Sequence, residues 1–319
     1  MLMMIRIFRN LAFLAFTALV LQAQTSQISG PVSGYVFDGS ARALRPILGI
    51  PGASLLGDPV NFGFDVTSAF VAPRQDSAFV IAADKSVHLF RIDSGAVTER
   101  TVDSLAGAPQ RVVFSPSGTA AALYAGGSIE VVKGLPDSPA VAGGFDLSPG
   151  AAFDSLALSD DGAVLLVSAD NAVRLFGSFA DLGKLMDTAG GVLMAFSAGG
   201  HDAAVADPAG AGIMLFHDLT GAGDSQVLAA PDDTIAASSA LAFSSDGKSL
   251  LLASSAGQSI TTFDLAAGAR NAIACSCSPT VLTRMGSVFR LTELGSDPLW
   301  LLDTRASGAR IMFVPALAQ

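Results

Sequence analysis

Few residues in this 319-residue chain have both the type and the spacing to do chemistry. Cys275 and Cys277, in Ala274-Cys-Ser-Cys-Ser-Pro279, are the only cysteines. In an oxidising compartment such a pair invites a disulfide. Residues i and i+2 of an extended strand lie near the upper Cα separation for a bridge, so the bond needs a turn or some strain. A strained bond is open to redox exchange, whereas two small thiols or one structural bridge at a sheet edge is the plainer expectation.

His88, His201 and His217 have no ligand spacing among themselves or with the cysteines, and no metal is expected. Asp160-Asp161 and Asp232-Asp233 lie in evident turns, where aspartate is a turn-former before it is an acid or base. Gly-x-Ser-x-Gly is absent, and the glycines do not open a helix after a strand as a phosphate cradle would. With Trp300 the only tryptophan, a quinone cofactor stacked on tryptophan is also not expected. No catalytic residue and no cofactor is therefore assigned. Four arginines, Arg74, Arg111, Arg284 and Arg290, are the only candidates for a convergent site.

The elements that must hold these residues follow from composition. Charged residues make up 14% of the chain and apolar residues 50%, a balance that excludes disorder. Glu99, Glu130 and Glu293 are the only glutamates against 25 aspartates, and there are 33 glycines. Glutamate favours helices, while aspartate and glycine favour turns, so many short strands joined by tight turns are expected.

Residues 1–23 read as a separate unit. Arg6 and Arg9 precede an apolar run from Leu11 to Leu21, and Leu21-Gln-Ala23 stands before polar Gln24-Thr25-Ser26. These are the parts of a secretory signal, and the run is too short to cross a bilayer. Residues 24–33 are expected to be a linker and 34–317 the folded domain, with no membrane span. Loss of residues 1–23 removes two arginines and no acid, taking the net charge from −10 to −12. Such a charge disfavours nucleic acid and anionic lipid as partners. An exported protein, periplasmic or secreted, and monomeric, is expected.

One phrase recurs: Val112-Val-Phe-Ser-Pro-Ser-Gly118, Leu156-Ala-Leu-Ser-Asp-Asp-Gly162, Met194-Ala-Phe-Ser-Ala-Gly-Gly200, Leu241-Ala-Phe-Ser-Ser-Asp-Gly247 and Phe289-Arg-Leu-Thr-Glu-Leu-Gly295. A degenerate copy, Phe70-Val-Ala-Pro-Arg-Gln-Asp76, precedes them, and the hydroxyl position recurs every 38–48 residues. An apolar strand ends, a hydroxyl starts a turn, and glycine closes it. A second apolar strand follows, then a third that alternates, such as Val173-Arg-Leu-Phe176. Three or four strands in each repeat of this length is the pattern of a β-propeller blade. A β-sandwich has no reason to repeat one phrase at one period.

The phrase resembles the blade repeat of WD40-like and YVTN-like bacterial propellers across roughly residues 34–316. The Trp-Asp pair of true WD40 blades is absent. The resemblance implies a fold and carries no activity.

An all-β chain is expected, a single propeller of six four-stranded blades, with seven as the alternative count. Gly34–Asp38 and Arg45–Gly49 read as outer strands completing the last blade and closing the ring. The expected function is a non-catalytic binding or protein-interaction scaffold, meeting a protein or saccharide on its loop faces. The alternative is a small-molecule hydrolase or lactonase at the central channel, for which the four arginines are the candidates.

Overall fold

A computed structural model describes residues 30–317, apart from 94, 106, 222, 306 and 307. The segment read as a secretory signal lies outside the described residues. Strands occupy nearly all the regular structure and form seven antiparallel sheets, each from consecutive strands.

The first sheet holds β1 (Val32–Asp38), β2 (Ala43–Ile50) and β3 (Ala53–Leu56). The second holds β4 (Val66–Val71), β5 (Ser77–Ala82), β6 (Val87–Asp93) and β7 (Ala96–Arg100). Next come β8 (Arg111–Phe114), β9 (Ala120–Ala125), β10 (Ser128–Lys133) and β11 (Ala140–Asp146) in the third. The fourth contains β12 (Phe153–Leu158), β13 (Val164–Ala169), β14 (Ala172–Gly177) and β15 (Ala180–Asp187). The fifth contains β16 (Leu193–Phe196), β17 (Ala203–Asp207), β18 (Gly212–Phe216) and β19 (Ser225–Ala229). A single helical turn, α1 (Asp233–Ala236), leads to β20 (Ser238–Phe243), β21 (Ser249–Ser254), β22 (Ser259–Asp264) and β23 (Arg270–Ala274). The last sheet is β24 (Thr283–Met285), β25 (Val288–Arg290), β26 (Leu299–Asp303) and β27 (Arg310–Val314). These are the blades of a seven-bladed propeller.

Burial follows position in the blade. The second strands β5, β13 and β17 are buried at every residue, because each is covered by the neighbouring sheet on both faces. The fourth strands β7, β11 and β23 are mostly exposed. Between blades the side chains form separate apolar clusters, such as Leu158 and Leu165 against Ile129 and Val131.

The repeated phrase folds by one hydrogen-bond pattern. Ser115 N–H donates to the Ala120 carbonyl at 2.9 Å, Ala120 N–H donates to Ser115 Oγ at 3.2 Å, and Gly118 N–H closes the turn on Ser115 O at 2.9 Å. Ser159 with Val164 and Gly162, and Ser244 with Ser249 and Gly247, repeat all three bonds. Gly118, Gly162 and Gly247 take φ of 75°, 66° and 69°, the left-handed region that a side chain would strain.

In the second blade Gln75 holds that same conformation, φ 64°, without being glycine. Its side chain explains the choice. Tyr35 N–H donates to Gln75 Oε1 at 2.6 Å and Gln75 Nε2 donates to Ala72 O at 3.1 Å, tying the first blade to the second blade's turn. Gln75→Ala should cost about 1–3 kcal/mol, the price of a buried amide left without its acceptor. Gln75→Gly should cost about 1 kcal/mol less, because the left-handed backbone is then unstrained. Urea midpoints of both variants check this, and an alanine variant as stable as the parent would refute it.

Three expectations need correction. First, the blade count is seven, not the favoured six. The unmarked blade is the N-terminal one, whose corner is built by a carboxylate. Asp38 Oδ1 accepts from Ser40 and Ala41 N–H at 3.1 and 3.0 Å, and Asp38 Oδ2 takes Arg45 Nε at 2.9 Å. No hydroxyl-to-glycine phrase is needed there. Burial works against ionising Asp38, but the two amides and Arg45 outweigh it and hold its carboxyl below the usual range.

Second, the N-terminal strands do not complete the last blade. That blade has four strands of its own, and β1–β3 form a separate three-stranded blade among the described residues. The ring closes by side-chain packing instead, with Val36 and Ile47 against Met285, Leu299, Leu301 and Val314. One parallel bridge, Asp38 to Leu294, crosses the junction. The approach is close: a Cβ on Gly34 would stand 2.7 Å from Met285 Cε. β1 itself begins at Val32, two residues before the expected domain start.

Third, Thr292 does not end an innermost strand. It follows β25, the second strand of its blade, and accepts from Trp300 N–H at 3.1 Å. The corner chemistry is shared, but β24 has been added inside it.

Candidate functional site

Each blade sends one strand to the centre: β1, β4, β8, β12, β16, β20 and β24 together line a cavity of about 540 Å³. That size suits a small molecule, for which pockets of roughly 300–1,000 Å³ are usual. The wall is mostly apolar, with Val113, Leu158, Met194, Ala195, Phe196 and Leu241 among its residues. This follows from the phrase, whose apolar strand runs into the channel before the hydroxyl turns the chain away.

Charge enters the wall from the last blade alone, as Arg284, Arg290 and Glu293. Arg290 and Glu293 form a two-pronged pair, Nη1 to Oε2 at 2.7 Å and Nη2 to Oε1 at 2.8 Å. Both carboxylate oxygens are thereby engaged. Arg284 is held differently, its Nε donating to Gly286 O at 3.1 Å and its Nη1 reaching Pro116 O at 3.5 Å. Pro116 belongs to the third blade's turn. The β24–β25 hairpin is fastened at its tip as well, where Gly286 N–H donates to Pro73 O at 2.7 Å.

Of the four arginines expected from sequence, two reach the channel. Arg74 lies in an exposed pair with Asp76 at 2.6 Å, and Arg111 donates to Asp154 O at 2.5 Å while resting over the Phe153 ring. Neither contributes to the cavity wall. Both brace turns or neighbouring blades. Glu293 was missed by sequence reasoning, although its spacing of three from Arg290 inside the last phrase was a usable signal.

The remaining candidates stay outside the channel. Cys275 and Cys277 are bonded as a disulfide with Cα atoms 5.0 Å apart. Both are buried against Leu282 and Phe289, with little access for an attacking thiolate. His88 Nε2 stands 2.7 Å from Ser86 Oγ and its Nδ1 2.6 Å from Glu99. This resembles an activated serine, but Ser86 Oγ also lies 2.6 Å from Asp84 Oδ1. The one hydroxyl proton is better given to that carboxylate, and the Ser86 bond in turn holds Asp84 below the usual carboxylate range. His201 meets Asp161 at 3.1 Å and His217 meets Asp202 at 3.2 Å, pairs that join turns. Among the described residues no three ligating groups gather to hold a metal ion, and no helix is long and apolar enough to cross a membrane.

No family model and no curated protein matches the chain. Solved structures do. A candidate 6-phosphogluconolactonase from Bacteroides fragilis aligns with TM-score 0.60 at 15% identity, over 91% of this chain and 95% of its own. The periplasmic gluconolactonase of Pseudomonas aeruginosa aligns with TM-score 0.59 at 18% identity, over 91% and 97%. A functionally unknown protein from Desulfotomaculum acetoxidans aligns with TM-score 0.58 at 12% identity, over 89% and 100%. At these identities the likeness shows the propeller fold and nothing finer. The neighbours named for an activity here are lactonase propellers rather than the WD40-like or YVTN-like proteins that the phrase resembles.

Proposed function

We propose that this chain is an exported, non-catalytic binding propeller that takes its ligand in the central channel. One observation carries the reading: a cavity of about 540 Å³ with a largely apolar wall, in which the single carboxylate is already occupied at both oxygens by Arg290. An apolar pocket with a few convergent polar groups is the usual form of a small-molecule site. Loops at the channel mouth, which can vary without touching the blades, are where a protein or saccharide partner would dock.

The test is binding of 1-anilinonaphthalene-8-sulfonate, an anionic dye with an apolar aromatic body that fluoresces in apolar surroundings, to the chain starting at Gln24. Saturable fluorescence enhancement is expected, and Ala195→Trp, which puts an indole into the channel wall, should abolish most of it. Equal binding by both proteins would overturn the reading. Export is checked by cell fractionation of the full chain, with a processed form outside the cytoplasm expected.

The second reading is lactone hydrolysis, favoured by a carboxylate and two guanidinium groups on one channel wall and by the names of the neighbouring structures. In that chemistry Glu293 would direct a water at the carbonyl carbon and an arginine would steady the developing oxyanion. Turnover of glucono-δ-lactone that disappears in Glu293→Gln would establish it. The wall argues against a sugar, because ring hydroxyls facing Val113, Phe196 and Leu241 would lose their hydrogen bonds to water, and the few polar side chains of the wall, such as Ser68 and Thr283, replace only some of them.

A further inference from the structure

We infer that the channel selects a monocarboxylate with an apolar body, anchored through Arg284. The inference rests on the channel being the binding site and adds the chemical class of its ligand.

The argument begins with charge. The chain carries −10 overall, yet the charged residues of the cavity wall are two arginines and one glutamate, a local excess of one positive charge. Arg290 is neutralised by Glu293. Arg284 meets two carbonyls and, among the described residues, no carboxylate. Those two bonds use Nε and Nη1 and leave the Nη2 N–H groups without a protein acceptor among the described residues. A guanidinium donates five N–H bonds in a planar fork that matches a carboxylate.

A cation beside apolar walls is poorly solvated, and its attraction for an anion is strengthened by the low local dielectric. Carbonyl contacts orient this guanidinium without cancelling its charge. The structure also orients it: Gly286 O takes the guanidinium at 3.1 Å, Pro116 O of another blade stands at 3.5 Å, and Gly286 is itself held by Pro73. A group so placed is ready for its ligand before the ligand arrives, which lowers the ordering cost of binding.

The apolar majority of the wall defines the other half of the ligand. Met194, Ala195, Phe196 and Leu241 offer dispersion contacts and no hydrogen bonds from their side chains. One uncompensated positive charge suits a single negative one. A dianionic phosphate would keep a surplus charge against an apolar surface, and a polyol would have more hydroxyls than the few polar side chains of the wall, such as Ser68 and Thr283, can pair. An alkanoate or arylalkanoate satisfies both halves.

Isothermal titration of the chain starting at Gln24 with octanoate, octanol and octylamine tests this, because the three share one apolar body. Octanoate is expected to bind at least about ten-fold more tightly than octanol, the ratio that one charge-assisted hydrogen bond confers. Octylamine should bind most weakly. Arg284→Gln removes the charge and leaves a shorter side chain that still carries hydrogen-bonding groups, and should bring octanoate down to the octanol value while leaving octanol unchanged. Octanol binding as tightly as octanoate, or Arg284→Gln binding octanoate like the parent, would overturn the inference while the channel site stands. If Ala195→Trp binds all three ligands like the parent, the channel reading itself fails. Circular dichroism melts of both variants show whether a lost signal is a lost fold.

Discussion

A chain that begins at Asn61, and so lacks β1–β3, should lose the cooperative thermal transition of the chain that begins at Gln24. The reason is the way the ring closes. Tyr35, Val36, Leu44 and Ile47 are each 5% exposed or less, and burying one such side chain contributes about 1.5–3 kcal/mol. Four of them amount to roughly the whole net stability of an ordinary domain, about 5–15 kcal/mol. Their loss also uncovers what they touch: Val66, Ala78 and Val80 on the second blade, and Leu299, Leu301 and Val314 on the last. Two apolar blade faces then meet water, and aggregation on heating is expected beside the lost transition. Circular dichroism melts of the two chains decide it. Matching curves would mean that six blades close without the first.

Phe79→Ala should destabilise the propeller by about 3–5 kcal/mol. Phe79 is fully buried on β5 between the second and third blades, with Leu89, Ala121, Leu123 and Val132 around it and the Phe114 ring at 6.0 Å. Strands on both faces leave little room to collapse into the vacated space, so the cavity persists. The melting temperature should fall by roughly 6–15 °C. Phe79→Leu, which keeps most of the volume, should cost only about 1 kcal/mol. If alanine and leucine have the same urea midpoint, the site is not packed as described.

Much of this architecture is legible in the sequence. Ser115, Ser159 and Ser244 each start a turn closed by glycine at three positions on, and the strands either side read apolar where they are buried. The blade count was not legible, because the N-terminal corner uses Asp38 and Arg45 in place of the phrase and carries no repeat signal. Thr292 misled for the opposite reason, the phrase being present but one strand further out. Of the four candidate arginines, Arg290 sits in a phrase, and Arg74 and Arg111 stand in or beside one. A position beside a strand does not say which way a side chain leans, and only Arg284 and Arg290 lean inward.

The residue string alone determined the blade: strand, hydroxyl corner, apolar strand and alternating strand follow from turn hydrogen bonds between residues close in sequence and from the apolar pattern of each strand. Only the tertiary structure decided how many blades there are, how the ring shuts and which charges share the channel. Those outcomes turn on contacts such as Arg284 with Pro116, 168 positions apart, and Tyr35 with Gln75, 40 apart. Local preference carries no information about which distant segments meet, because that is settled by packing seven apolar blade faces around one axis.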